Sequence, residues 1–153
     1  MPHTEAPSIR CREVMRSGVG GIAPDLSVRD AAEKMRTERV GFLPVVSADH
    51  RLLGVLTDRD IALRIVAENR VASETPVSAV MSEEIVTCRP DDALEHAEDL
   101  MMQRQVARIV VIDDAQTFAG VITLADIAHV EEPMRLSRLV RQLFVREYRA
   151  RGH

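Results

Sequence analysis

A displacement of 66 residues lays the second half of this chain on the first without a gap. Val14-Met15 falls on Val80-Met81, Pro24-Asp25 on Pro90-Asp91, and Ala31, Met35, Val40 and Val45 fall on Ala97, Met101, Val106 and Val111. Gly54-Val55, Thr57 and Asp60-Ile61-Ala62 fall on Gly120-Val121, Thr123 and Asp126-Ile127-Ala128. An internal repeat of this kind limits the fold more than any composition does. Each unit spans about 55 residues, close to the lower limit for a domain that folds alone. Two units are therefore expected to share a core across a pseudo-twofold axis.

Both units read alike. A short apolar strand (Val19–Ile22; Ile85–Cys88) leads to a Pro-Asp turn and a helix. Ser27 with Asp30, and Asp92 with Glu95, fit capping boxes. Val28, Ala31, Ala32 and Met35 recur at helical spacing, as do Leu94, Ala97, Leu100 and Met101. The fully apolar runs Phe42–Val46 and Ile109–Ile112 suit buried strands. A polar turn and a third strand follow, ending in Gly54–Thr57 or Gly120–Thr123. A second helix then starts at Asp58 or Leu124. The order is β-α-β-β-α, twice. Repeat 1 covers residues 8–66, a connector 67–79, and repeat 2 residues 80–130. Pro133 opens a C-terminal amphipathic basic helix over 133–150.

The element that carries chemistry is Gly-apolar-apolar-Thr-x-x-Asp, at Gly54–Asp60 and again at Gly120–Asp126. A helix start presents free N–H groups and the positive end of its dipole, which suits a phosphate. Thr57 or Thr123 adds a hydroxyl, and Asp60 or Asp126 accepts from two ribose hydroxyls. The glycine would let a ligand approach the backbone. The same Thr-x-x-Asp spacing is also that of an ordinary capping box. Repetition does not separate the two readings, because a duplicated cap would repeat too.

With these residues in view, residues 8–130 resemble a tandem pair of CBS (cystathionine-β-synthase) domains. The run Leu56-Thr57-Asp58-Arg59-Asp60-Ile61 is similar to small stand-alone bacterial CBS-pair proteins of the hypoxic-response type. The resemblance implies an α/β (α+β) fold of two β-α-β-β-α repeats packed with pseudo-twofold symmetry, plus the C-terminal helix. It also implies a non-catalytic sensor that binds an adenine nucleotide (AMP, ADP or ATP, or else NAD or S-adenosylmethionine) in clefts between the repeats. By family pattern Asp60 and Asp126 hold ribose, and Thr57 and Thr123 face phosphate. Ile22 and Thr87, in the first-strand segments, lie near the base. Arg108, ahead of the second central strand, faces phosphate, while the first repeat has Phe42 at that place. Arg59 serves a phosphate or is solvated. Such modules pair into homodimers.

Other function classes have little in their favour. No Ser or Cys sits in a nucleophile elbow and no carboxylate pair stands apart from turns and helix starts, so no enzyme and no catalytic residue is read. No metal site is read either, and no cofactor is required beyond the nucleotide as regulatory ligand. With no Trp, one Tyr and three Phe, the composition disfavours aromatic platforms for single-stranded nucleic acid. No apolar run spans a membrane and no leader is evident, so a cytoplasmic protein is expected. Cys11 and Cys88 are too few and too far apart for a zinc knuckle or a disulfide framework, and both are expected reduced. An exposed Cys11 would admit an intermolecular disulfide as a minor alternative. Met15 and Met81 read as core fillers.

Charge is uneven. The chain carries −4 overall, but residues 134–153 hold six Arg against one Glu, leaving −9 on the rest. Leu136, Leu139, Val140, Leu143 and Phe144 form one apolar face of this tail. It is expected to dock on the body or on a sister subunit, with its arginines solvated or against acidic groups. The alternative function is a ligand-free dimeric adaptor that binds a protein partner through this helix. Nucleic acid is not expected, since a body of −9 opposes phosphate.

Overall fold

A computed structural model of the chain describes residues 8–145. The elements run α1 (Cys11–Val14), α2 (Val28–Glu38), β1 (Phe42–Val46), β2 (Leu52–Thr57), α3 (Asp58–Ile61), β3 (Thr87–Cys88), α4 (Leu94–Arg104), β4 (Arg108–Ile112), β5 (Phe118–Thr123), α5 (Leu124–Ala128) and α6 (Pro133–Leu143). A π-helical turn, Ala62–Val66, prolongs α3, and a single 3-10 turn covers Val77–Ala79. The expected alternation of helices and strands is present in both repeats, with the C-terminal helix after them. No helix among the described residues is long and apolar enough to cross a membrane.

The chain forms two compact units, each assembled from distant segments. Among the described residues, one comprises 18–85 and 113–118; the other comprises 8–17, 86–112 and 119–145. In the first, β1 and β2 are antiparallel, with Leu43 opposite Leu56 and Val45 opposite Gly54. Ile22 flanks β1 in parallel through Val45, and Ser82 flanks β2 in antiparallel through Val55. In the second unit β3 runs parallel to β4, with Cys88 opposite Val111, and β5 lies on the other side of β4. Arg16 flanks β5 through Val121. The flanking pairs correspond at the 66-residue offset: Ile22 with Val45 matches Cys88 with Val111, and Ser82 with Val55 matches Arg16 with Val121.

Burial explains the apolar runs. Leu43, Val45 and Leu56 close the first core with Val28, Ala31, Ile65 and Val77. Ile109, Val111 and Ile122 close the second with Leu94, Ala97, Met101 and Ile127. Even the backbone irregularities repeat. Arg39 and Gln105 end α2 and α4 in the left-handed region at φ 55° and 57°, and His50 and Gln116 hold φ 64° and 65° in the hairpin turns.

Three local expectations change. The first strand of repeat 1 shrinks to Ile22, since the Gly20-Gly21 stretch before it has no side chains to fix a ladder. The α4 cap is Ala93, without a side-chain bond, because the Asp92 carboxylate accepts from the Arg89 N–H instead (2.8 Å). Cys11 is fully buried in the second core and not exposed. The tail helix packs on α4 with Leu139 and Leu143 inside the second core, while Met134 stays exposed. Tail residues beyond Val145, Arg146 and Arg149 among them, lie outside the described residues.

Candidate functional site

Each Thr-x-x-Asp segment stands where β2 or β5 turns into the following helix. In the first unit Thr57 Oγ1 accepts from Asp60 N (3.1 Å), and Asp60 Oδ2 accepts from Thr57 N (3.0 Å). In the second, Asp126 Oδ2 accepts both from Thr123 N (2.8 Å) and from the Thr123 hydroxyl (2.7 Å). Both are reciprocal capping boxes. The capping reading of the motif is therefore met in full. It uses one carboxylate oxygen and leaves the other to face outward from the cap.

That second oxygen meets an arginine in both units. Asp60 Oδ1 accepts from Ser82 Oγ (3.3 Å) and lies 3.5 Å from Arg64 Nη1. Arg64 is placed by the π-helical turn, and its Nη1 also donates to Val80 O (2.6 Å) and Ser82 Oγ (3.2 Å). Asp126 Oδ1 lies 3.3 Å from Arg16 Nε. Asp60 is 9% exposed. A polar group so nearly dry is costly to bury without such partners.

Arg16, Arg64 and Ser82 were not legible as site residues. Yet residue 16 plus the repeat offset is residue 82, so Arg16 and Ser82 are the same position in two copies. Each sits on a segment pinned to its strand by paired backbone bonds. Arg16 N donates to Val121 O (2.9 Å) and Val121 N to Arg16 O (3.1 Å); Val55 and Ser82 exchange the same pair at 2.9 and 2.8 Å. The recurring Val-Met before them was the available signal.

This crossing segment explains the motif's glycine. A Cβ on Gly54 would lie 2.7 Å from Met81 Sδ and 3.0 Å from Ser82 O; one on Gly120 would lie 2.9 Å from Arg16 O and 3.2 Å from Met15 Sδ. The glycine makes room for the chain's own Met-x segment, not for a ligand. Met15 and Met81 do pack against the two cores as fillers.

The remaining sequence candidates are distributed as follows. Ile22 is buried beside β1 and Thr87 is half-buried in β3. Arg108 is half-buried at the start of β4. Arg59 is exposed, and its backbone N–H donates to Asp58 Oδ1 (2.8 Å). The structure thus brings Thr57 to Asp60 and Thr123 to Asp126.

A second polar cluster had no sequence signal beyond a charged helix. Glu98 of α4 is 1% exposed, and its Oε2 accepts from Arg135 Nε (2.6 Å) of α6. Arg135 also approaches Glu95 and Glu131. Burial pushes the Glu98 carboxyl up to about 7, against the pull of Arg135 and with a further push from Glu131. Its Oε1 has no hydrogen-bond partner. Among the described residues no group of three or more His, Cys, Asp or Glu could hold a metal ion.

The geometry agrees with the likeness to known proteins. The CBS domain family model matches residues 11–67 and 77–132. The CBS domain-containing protein YhcV of Bacillus subtilis is 40% identical over 117 residues, which cover 76% of this chain and 81% of that protein. The chain spans only about a quarter of the larger enzymes it matches. Hypoxic Response Protein I, solved with two coordinated zinc ions, superposes with a TM-score of 0.73 at 27% identity, over 81% of this chain and 100% of that one. The CBS domain protein PAE2072 from Pyrobaculum aerophilum, solved in complex with AMP, superposes with a TM-score of 0.73 at 23% identity, over 86% and 98%.

Proposed function

The chain belongs to the CBS domain family, and on that premise we propose that it is a non-catalytic regulatory module that binds an adenine nucleotide. One observation carries the reading: a carboxylate, buried at Asp60 and half-buried at Asp126, is set at a strand-to-helix turn, twice, with one oxygen held by the cap and the other on a displaceable partner. The ribose 2′- and 3′-hydroxyls donate to Asp60 or Asp126, releasing Arg64 with Ser82, or Arg16. Thr57, Thr123, Arg59 and Arg108 complete the polar lining, and the backbone at Ile22 and Thr87 meets the base. The AMP complex of PAE2072 supports this ligand class, as does the CBS domain pair of protein MJ0100 solved with 5′-methylthioadenosine and S-adenosyl-L-methionine.

Regulation follows from differential affinity: the nucleotide biases the packing of the repeats, and of a cytoplasmic homodimer, only as far as it prefers one arrangement. Titration calorimetry with AMP, ATP, NAD and S-adenosylmethionine tests the proposal. Asp60→Ala and Asp126→Ala should each remove one site. Binding no tighter than about 1 mM for every ligand, some 4 kcal/mol, would reject the sensor reading. It would favour the second one, a ligand-free adaptor acting through α6, for which the exposed Met134, Val140 and Phe144 speak.

A further inference from the structure

The second core contains a pair of sulfurs that packing does not require. Cys11 and Cys88 are 0% and 4% exposed, and the Cys88 thiol donates to Cys11 Sγ at 3.7 Å. At the 66-residue offset, Cys11 corresponds to Val77 and Cys88 to Ile22. Those two are buried together in the first core as plain hydrocarbon. The fold thus needs only an apolar filler at either place, and the second unit has placed a thiol at both.

We infer that Cys11 and Cys88 form a reversible intramolecular disulfide when the protein meets a peroxide. Backbone bonds hold the partners in register: Cys11 N donates to Asp92 O (2.9 Å), Arg12 N to Pro90 O (2.9 Å), and Leu94 N to Ile9 O (2.8 Å). The sulfurs, at 3.7 Å, have about 1.7 Å to close to reach the roughly 2.05 Å of a disulfide. The bond from Cys88 holds the Cys11 thiol below its ordinary range and pushes the Cys88 thiol up. Cys11 sits on the four-residue α1 and Cys88 within β3, so a local opening of α1 exposes Cys11 first and makes it the attacking sulfur, with Cys88 the resolving one.

The chemistry balances with hydrogen peroxide as oxidant. The Cys11 thiolate attacks one peroxide oxygen, the O–O bond breaks, and hydroxide leaves. The resulting Cys11 sulfenic acid is attacked by the Cys88 sulfur. The S–O bond breaks, the S–S bond forms, and the departing hydroxyl takes the Cys88 proton as water. Two thiols lose two electrons and one peroxide becomes two waters. Because both sulfurs are buried, oxidation occurs when the four-residue α1 lifts, and the cross-link forms when it settles back. The bond ties positions 77 residues apart in sequence, fastening the N-terminal arm to β3.

The full-length native protein is treated with hydrogen peroxide, then denatured, alkylated and digested without reductant. The expected result is a loss of two hydrogens per chain, a Cys11–Cys88 linked peptide, and a melting temperature several degrees higher that dithiothreitol reverses. A Cys11→Val/Cys88→Ile chain, which borrows the side chains of the first repeat, should keep the melting temperature of the reduced protein and show none of these changes. Two alkylated thiols after peroxide, an interchain disulfide, or sulfinic acid on Cys11 beside a free Cys88 would each overturn the inference.

Discussion

Arg16 Nε lies 3.3 Å from Asp126 Oδ1, and the repeat counterpart of Arg16 is Ser82, which donates to Asp60. One position thus serves the acidic residue of each unit, once as a charge and once as a hydroxyl. Arg16 is half exposed, so its ion pair is worth about 0.2–1 kcal/mol. In the proposed complex, adenosyl binding at Asp126 displaces it. Arg16→Ala is therefore expected to tighten that site by roughly 1.5- to 5-fold at low salt, with the gain shrinking as salt screens the pair. Calorimetry at two ionic strengths reads this. A tenfold loss would instead make Arg16 a direct phosphate contact.

Gly54 and Gly120 face the crossing segments, and alanine at either should destabilise by about 1–3 kcal/mol through overpacking. Rescue should differ. The atom nearest a Gly54 Cβ is Met81 Sδ, while at Gly120 it is the backbone Arg16 O. Met81→Ala should recover part of the stability of Gly54→Ala, whereas Met15→Ala should recover little of Gly120→Ala. Thermal melting of the four double and single variants checks this.

Thr57 and Thr123 each cap a short helix reciprocally with an aspartate. Thr→Ala at either should cost about 1 kcal/mol, and Thr→Ser should restore most of it by keeping the oxygen. Thr123 should be the more costly, since its hydroxyl also donates to Asp126. Urea titration at constant m-value resolves the difference.

These elements show where sequence was sufficient. The repeat offset placed both Thr-Asp boxes, and hydrophobic period placed α2, α4 and the central strands, because burial imposes those periods directly. Ser27 capped α2 as its spacing suggested. Asp92 did not cap α4, because an aspartate beside a turn has several backbone donors within reach and Arg89 N won. The Arg16 and Ser82 segments escaped notice because a single bridge has no period. The two thiols were 77 residues apart in sequence, and only a shared core made them neighbours.

Glu98 couples the α4–α6 contact to pH. Its carboxyl is ordinarily near 4.5 and is raised to about 7 by burial, with Arg135 opposing and Glu131 adding to the rise. Between those values the folded state holds a proton that the unfolded chain has released. Its contribution to stability is therefore complete below about pH 4.5 and is lost as pH rises towards 7, levelling off above that. Two and a half pH units at 1.36 kcal/mol each set the scale at about 3 kcal/mol. Glu98→Gln should flatten this part of the profile relative to the parent chain. Arg135→Ala should cost more at pH 8 than at pH 5, about 1–3 kcal/mol at the higher value, because the carboxylate then stays charged and unpaired. Denaturation curves at pH 5, 6, 7 and 8 for the three chains measure both effects, and parallel profiles would exclude Glu98 as the titrating group.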